Sequence, residues 1–428
     1  MSINAVSLFL FGSSWAGVAM QSLAMLVVLA WLILHFRNSD NWRELALMPL
    51  RAPLIRWSCV LGLSWLVWNL ISSQANPTTA GRPPAFIGGY LWWAIAPWTA
   101  SVFMNAWTAQ SAGEKAVWTS RFGRLLLWTS VIVCLIALSQ WFWGWKIHGT
   151  KIIESEPRAR VLFSHPLSLA YIVLLYTPLA LFFLLHRERR RVAMIGTAAC
   201  GVLLFTSASR TVQVVSMLFA TVWCLFFLRG KMRVALIATG LVGVSVLALT
   251  ENPVRARFQN TIGQIEDRQQ DKYADDRLAF WAAHWEMFKE RPVMGHGNSY
   301  TQEYLSPYYA RIGLADFEKK YQAHNMFLQV LVNTGIVGAL IWSTRLLMLF
   351  FAASKLLRRK LPGERSFGWA GLATVFAVLL AGITQNAFQD SAVRFHWAIL
   401  EGLLLWKAVS QGKKSSKFIL AANKESTP

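Results

Sequence analysis

The chain has 428 residues, a mean hydropathy of +0.39, and 55% hydrophobic but only 15% charged residues, where a soluble domain carries roughly 25% charged. Its net charge of +21 would suggest nucleic acid in a soluble protein. Here the basic residues fall between long apolar blocks, which excludes a soluble enzyme and leaves no nucleic-acid partner to expect.

Residues 5–36 are apolar for too long to form one span. Gly12-Ser13-Ser14 is expected to fold them into a short hairpin, giving about 12 transmembrane helices; one tilted helix would give 11. Neither a charged n-region nor a cleavage site stands at the start, so no removable signal peptide is expected. Apolar blocks follow at 53–73, 85–108, 124–145, 167–186, 192–207, 211–228 and 232–249. Each is near or above the roughly 18 residues that suggest a spanning helix. They do not alternate as barrel strands would, so the fold class is an all-α polytopic membrane protein.

The segment 251–324 is the one large non-membrane element. Within it, "DDRLAFWAAHWEMFKERPVMGHG" at 275–297 has an acidic helix start, a basic end, and then Pro292 and Gly295 as stop signals. Arg277, Trp281, Trp285 and Phe288 share one stripe at helical spacing, predicting an amphipathic helix on the outer face of the bundle. A second short helix is expected at about 315–323. Three more spans follow, at 325–352, 368–388 and 395–410, and the polar tail begins at Gly412. The organisation predicted is nine spans over 1–250, a helical loop over 251–324, three spans over 325–411 and a basic tail over 412–428.

Lys and Arg crowd alternate loops. They stand at 37–56, 115–124, 187–191, 229–233, 355–365 and in the tail, and are sparse in the loops between. By the positive-inside rule the rich loops and the C-terminus are cytoplasmic, and 251–324 faces outward. The four cysteines lie inside apolar blocks without ligand spacing and read as small buried hydrophobes. Two charges stand inside spans at similar depth, Arg345 and Glu401, and a structural ion pair is predicted.

On this topology most remaining polar candidates face one side. They are Arg158, Arg160, His165, Arg210 in "SASRT", Arg277, Trp281, His296 in "GHG", His324 with Asn325, and Asp390, Arg394 and His396 in "QDSAVRFH". Several have plain structural readings. Arg158 and Arg160 suit lipid headgroups, His165 before Pro166 suits a helix cap, and His396 suits the interface. Arg210 sits in a very tight turn between two apolar blocks, where an arginine is costly unless it meets an anion. His324 opens a helical face that continues through Leu328, Leu331, Gly335 and Gly338, and the glycines would let a neighbour approach closely.

Arginine forks match phosphate oxygens, and a neutral imidazole can take a proton from a hydroxyl near neutral pH. A diphosphate carried on a lipid would lie at headgroup level beside Arg210 and Arg277. That combination suits a glycosyl transfer in which a base-activated hydroxyl attacks and a lipid diphosphate leaves. No paired outer carboxylates and no Gly-rich phosphate loop stand in the sequence, so no metal and no cofactor is predicted.

"TSASRT" at 206–211, the 275–297 segment and "HNMFLQVLVNTGIVG" at 324–338 occur in the order seen in the bacterial O-antigen ligase family, which this chain resembles within the wider ligase/polymerase superfamily. The resemblance implies a membrane glycosyltransferase of GT-C-like architecture, with the large loop periplasmic and the protein in the bacterial inner membrane. Its donor would be O-antigen on undecaprenyl diphosphate and its acceptor a sugar of lipid A–core, with inversion at the anomeric carbon. On the family's pattern His324 corresponds to the histidine thought to activate the acceptor hydroxyl. Arg210 and Arg277 correspond to the arginines thought to hold the diphosphate. A polymerase or a protein-directed oligosaccharyltransferase using the same donor remains a rival. So does a lipid-anion transporter, although transporters gather charge near the midplane, which here carries only the predicted pair.

Overall fold

A computed structural model describes residues 50–76, 130–144, 158–161, 163, 165–185, 190–231, 276–298, 303–318 and 321–409, with residues 47, 94, 97, 98, 101, 128 and part of 233–263 beside them. The Gly12–Ser14 hairpin, most of blocks 85–108 and 232–249, and the basic tail 412–428 lie outside the described residues. Among the described residues all regular structure is helical: α1 (Pro53–Ala75), α2 (Ser130–Trp143), α3 (Pro166–Phe183), α4 (Arg190–Ser207), α5 (Arg210–Phe227), α6 (Asp276–Glu290), α7 (Ser306–Arg311), α8 (Met326–Leu357), α9 (Pro362–Gly382) and α10 (Ser391–Val409). Five of these, α1, α3, α5, α8 and α9, are long and apolar enough to cross a membrane. The protein is a multi-pass membrane protein.

The sequence explains the placement of each helix. α3 is the central one: Leu169 through Leu175 are almost wholly buried, and α4, α5, α9 and α10 surround it. α8 packs on α1, α9 and α10. Large apolar side chains on the outer helices are exposed at helical spacing. Examples are Val60, Leu63, Val67 and Ile71 on α1, Val214, Met217, Leu218 and Leu225 on α5, and Ile336, Leu340, Leu347 and Phe351 on α8. Such stripes would be a liability in water and are the ordinary surface of a bundle in lipid.

The predicted intramembrane ion pair is present. Arg345 Nε donates to Glu401 Oε1 at 2.6 Å, with both side chains nearly inaccessible. Ser58 Oγ donates to the same oxygen at 2.6 Å. Gly62 leaves room for the guanidinium, since a Cβ there would lie 2.5 Å from Arg345 Nη1. One buried cluster thus fastens α1, α8 and α10 together.

α8 departs from the continuous span expected over 325–352. It runs for 32 residues but breaks at Gly335, whose φ of 62° and ψ of −170° are not helical. The piece below the break, 336–357, is about 33 Å long at ~1.5 Å per residue, enough to cross a bilayer core of roughly 30 Å. The stub Met326–Thr334 therefore stands at the membrane boundary. A break frees backbone groups that lipid cannot satisfy, and four of them find partners in neighbouring segments. Val332 O accepts from His296 N at 2.8 Å, and Asn333 O from Gly297 N and Ser72 Oγ, both at 2.8 Å. Thr334 O accepts from Trp68 Nε1 at 2.7 Å, and Ile336 N donates to Pro292 O at 2.8 Å. The loop 292–298 is wedged into the break so tightly that a Cβ on Gly335 would lie 2.1 Å from Val293 O.

Above the stub, α6, α7 and neighbouring residues form a small cap with its own core of Phe280, Ala283, Met287, Leu305, Tyr308, Tyr309 and Val332. Two expectations are corrected here. The buried face of α6 is Ala279, Phe280, Ala283, His284 and Met287, not the 277–281–285–288 stripe, and Trp285 is 49% exposed. The rest of the cap packs on α6 through Ala279, Phe280, Ala283 and Met287, and Trp285 is left beside Phe288, centroids 5.2 Å apart and rings tilted. The short helix lies at Ser306–Arg311, while the described residues of 315–323 form a turn and irregular chain. Pro307 starts that helix, and Gly313, at φ 79°, follows its end. The block 368–388 likewise leaves the helix after Gly382, because its last residues are polar and bond across the bundle.

Two outcomes follow for thermal unfolding of the detergent-purified protein. Arg345→Met or Glu401→Leu alone strands a buried charge and should cost about 3–5 kcal/mol, whereas the double variant should recover most of that loss. Gly335→Ala should lose at least the ~1–3 kcal/mol of a residue forced into a sparsely populated backbone region. Gly196→Ala, with open space around its Cβ, should be neutral or slightly stabilising.

Candidate active site at the upper end of the bundle

Four helices, α3, α5, α8 and α10, begin at one end of the bundle, termed here the upper end. Helix starts present unpaired N–H groups and partial positive charge, which favours anions. The loop 383–390 between α9 and α10 ties these starts together. Ser168 Oγ, in the first turn of α3, donates to the Asp390 carboxylate, which also caps α10 by accepting from Ala392 N at 2.7 Å. The Thr384 hydroxyl meets Thr211 Oγ1, near the start of α5, at 2.7 Å. Gln385 Oε1 meets His324 Nδ1, just before α8, at 2.7 Å.

Arg210 is the first residue of α5, and only Ala208 and Ser209 separate it from the end of α4. The sequence expectation of a tight turn holds, and Ala208 adopts φ 48° to make it. The segment 158–163 lies against this elbow. Ala159 N donates to Thr206 O at 2.8 Å and Arg158 Nε to Ser207 O at 3.0 Å. Gln140 on α2 clasps the same segment: its Oε1 accepts from Arg160 N and Val161 N at 2.9 and 2.7 Å, and its Nε2 donates to Val161 O at 3.1 Å. Arg158, Arg160 and Arg210 are close enough to repel one another. Burial first, then the charges of Arg160 and Arg210, pushes the Arg158 guanidinium down to about 10.

His165 is the N-cap of α3, with its Nδ1 accepting from Leu167 N at 3.1 Å. Burial and the charges of Arg158 and Arg160 hold its pKa below the ordinary value, against an opposing pull from Asp390. The His324 ring lies against Phe280 and Tyr321, with centroids 5.4 and 6.4 Å away. Burial lowers its pKa and the Arg277 charge lowers it further, while the Gln385 bond opposes both. Arg277, on the first turn of α6, is therefore within electrostatic reach of His324.

His324, Arg277, Arg210, Arg158, Arg160 and His165 thus come together at one end. The other candidates have structural posts. Asn325 caps α8 by accepting from Leu328 N at 3.0 Å. His296 is fully buried with both ring nitrogens engaged, by Tyr304 OH at 3.0 Å and Met287 O at 2.7 Å, and it holds the 292–298 loop. Trp281 packs against the cap core. Arg394 is buried, gives Nη1 to Phe388 O at 2.6 Å, and lines a small cavity with Asn298, Gln329, Asn333 and Asn386. Sequence reasoning passed over Gln140, Ser168, Thr384 and Gln385. Their one signal was a polar side chain within or at the edge of an apolar block.

Backbone strain marks the same place. Among the described residues, Val161, Ala208 and His324 are the non-glycine residues at positive φ. One lies in each of three segments that build this end. Such conformations persist only where surrounding contacts hold them, and they cluster at functional sites. Among the described residues no three of His, Cys, Asp or Glu gather as metal ligands. The chemistry this end supports is anion binding by guanidinium groups beside a neutral imidazole.

A family model described as O-antigen ligase matches residues 195–343. A comparison with curated proteins finds no match. The matched stretch runs from α4 through the upper part of α8, and it contains all three motifs, at 206–211, 275–297 and 324–338. Members of this family are ligase- and polymerase-type enzymes acting on lipid-linked polysaccharide in membranes. The matched stretch, residues 195–343, spans Arg210, Arg277 and His324, and over it this membrane protein resembles the O-antigen ligase family.

Proposed function

We propose that the protein is an O-antigen ligase. It transfers O-antigen polysaccharide from undecaprenyl diphosphate to a sugar hydroxyl of lipid A–core, without a metal, at the periplasmic face of the bacterial inner membrane. In this reading the bundle has about twelve spans in a GT-C-like arrangement. The upper end faces the periplasm and the C-terminus the cytoplasm.

The reaction is a single displacement. His324 takes the proton of the acceptor hydroxyl, and the oxygen attacks the anomeric carbon of the donor. The bond from that carbon to the diphosphate oxygen breaks, and the configuration inverts. Arg210 and Arg277 hold the diphosphate and stabilise the charge it gains on leaving. One observation carries this reading. The neighbours Thr384 and Gln385 touch Thr211, next to Arg210, and His324 itself. Arg210 and His324, which come from segments far apart in sequence, are thereby held near each other, which supports a shared site for the two roles proposed.

The test is purified protein in chelator with undecaprenyl-diphosphate-linked glycan and one of three acceptors. Lipid A–core should become glycosylated; transfer to a peptide, growth of the donor glycan, or donor movement without transfer would each point to a rival. His324→Ala should lower the rate by roughly 10²–10⁴-fold, the usual worth of a positioned base, without preventing donor binding. Arg210→Ala and Arg277→Ala should weaken use of the donor, and full activity in both would refute the diphosphate role.

The pH profile gives a separate check. The working form of His324 is neutral, so activity should rise with pH through its pKa. The acid limb should lie below the ordinary histidine value of about 6.5. Arg277→Gln removes a charge that lowers this pKa, so the limb should move to higher pH.

A further inference from the structure

The imidazole of His324 can act as a base only through a nitrogen that carries no proton, and its two tautomers expose different nitrogens. Nδ1 faces the carbonyl oxygen of the Gln385 amide at 2.7 Å. A carbonyl oxygen only accepts, so this contact holds the proton on Nδ1 and leaves the lone pair on Nε2, the nitrogen on the far side of the ring from Gln385 and the one left to meet a substrate hydroxyl.

The partner is firmly held. The loop carrying Gln385 is fastened at residue after residue. Tyr171 OH on α3 donates to Ala381 O at 3.0 Å, Ile383 N and Thr384 N close the end of α9, and the Thr384 hydroxyl is tied to Thr211. Beyond Gln385, Arg394 Nη1 holds Phe388 O, and Asp390 is held by Ser168 and Ala392. His324 in turn is fixed at φ 48° between Phe280 and Tyr321. A glutamine placed so rigidly against one ring nitrogen has a narrower task than filling space.

We infer that Gln385 is a positioning residue for transfer. Its amide oxygen sets the tautomer and orientation of His324, so that the Nε2 lone pair faces the acceptor hydroxyl. This rests on His324 being the base, and it adds a reason for an uncharged partner. A carboxylate in the same place would hold the proton on Nδ1 equally well. It would also stabilise the imidazolium and keep the base protonated at higher pH. It would, further, compete with the donor diphosphate for Arg277.

The test combines two measurements on the full-length protein in lipid nanodiscs. The first is the ¹⁵N spectrum of histidine-labelled protein at neutral pH, with the His324 signals assigned by their loss in His324→Asn. The wild type should show a neutral ring protonated on Nδ1. Gln385→Leu should give a mixture of tautomers, and Gln385→Glu should hold the proton on Nδ1 while raising the pKa by about 1–3 units. The second is transfer rate against pH. Gln385→Leu should lose at least about 10-fold of the roughly 10²–10⁴ that a positioned base contributes, in kcat and not KM. Gln385→Glu should shift the acid limb to higher pH, with activity returning above it. A wild-type ring protonated on Nε2, or Gln385 variants that leave both the spectrum and the limb unmoved, would overturn the inference. If the spectrum changes as expected while the rate and its pH profile do not, Gln385 holds the ring as inferred, and the role of His324 as the base fails instead.

Discussion

The wedge of loop 292–298 in the break of α8 is the interaction on which the upper end depends. A transmembrane helix satisfies its own backbone, and interrupting one at the membrane boundary exposes carbonyls and an N–H where little water can reach. Here His296, Gly297, Ser72 and Trp68 meet the carbonyls of Val332, Asn333 and Thr334, and Pro292 meets the N–H of Ile336. The break then becomes a fixed joint. It raises a short helical stub above the span and sets His324 at its tip. It also anchors the cap, because the residues that fill the break lead directly out of α6, which carries Arg277. His324 and Arg277 are therefore positioned by the same joint, from its two sides.

The second constraint is electrostatic. Arg158, Arg160 and Arg210 crowd together beside several helix starts, and the Arg158 guanidinium is depressed by burial first and then by the charges of the other two. An arrangement of this kind is unfavourable when empty and favourable with a polyanion in place. Burial, and then the same positive surroundings, lower the pKa values of His165 and His324. A lowered pKa favours the neutral imidazole near physiological pH, the form that general-base chemistry needs. The buried Arg345–Glu401 pair does the opposite work at depth. It is neutral as a unit, fastens three helices, and adds no net charge to the lower bundle.

How much of this can be read from residues alone differs from element to element. The apolar blocks match α1, α3, α4 and α5 nearly to their ends, because lipid imposes length and hydropathy on a span directly. Arg345 and Glu401 can be paired from residue type and depth, because two isolated opposite charges at one level in lipid have few alternatives. The α6 stripe misleads because apolar residues surround most of that helix, and only contact with α7 and Val332 selects the buried face. The end of α9 is hidden for a similar reason. Thr384 and Gln385 leave the helix for partners on α5 and before α8, and nothing local announces them.

The sequence by itself determined that this is a helical membrane protein, which residues can bear charge at its rim, and where the three motifs of the O-antigen ligase family stand. Those properties belong to single segments: hydropathy, spacing and residue type. Only the tertiary structure decided that His296 would be locked into a joint while His324 would meet Gln385, and that α8 would break at Gly335. Each of these outcomes depends on what a distant segment offers in the same place. A hydrogen bond across 61 residues, such as that between His324 and Gln385, leaves no periodicity in the chain that makes it.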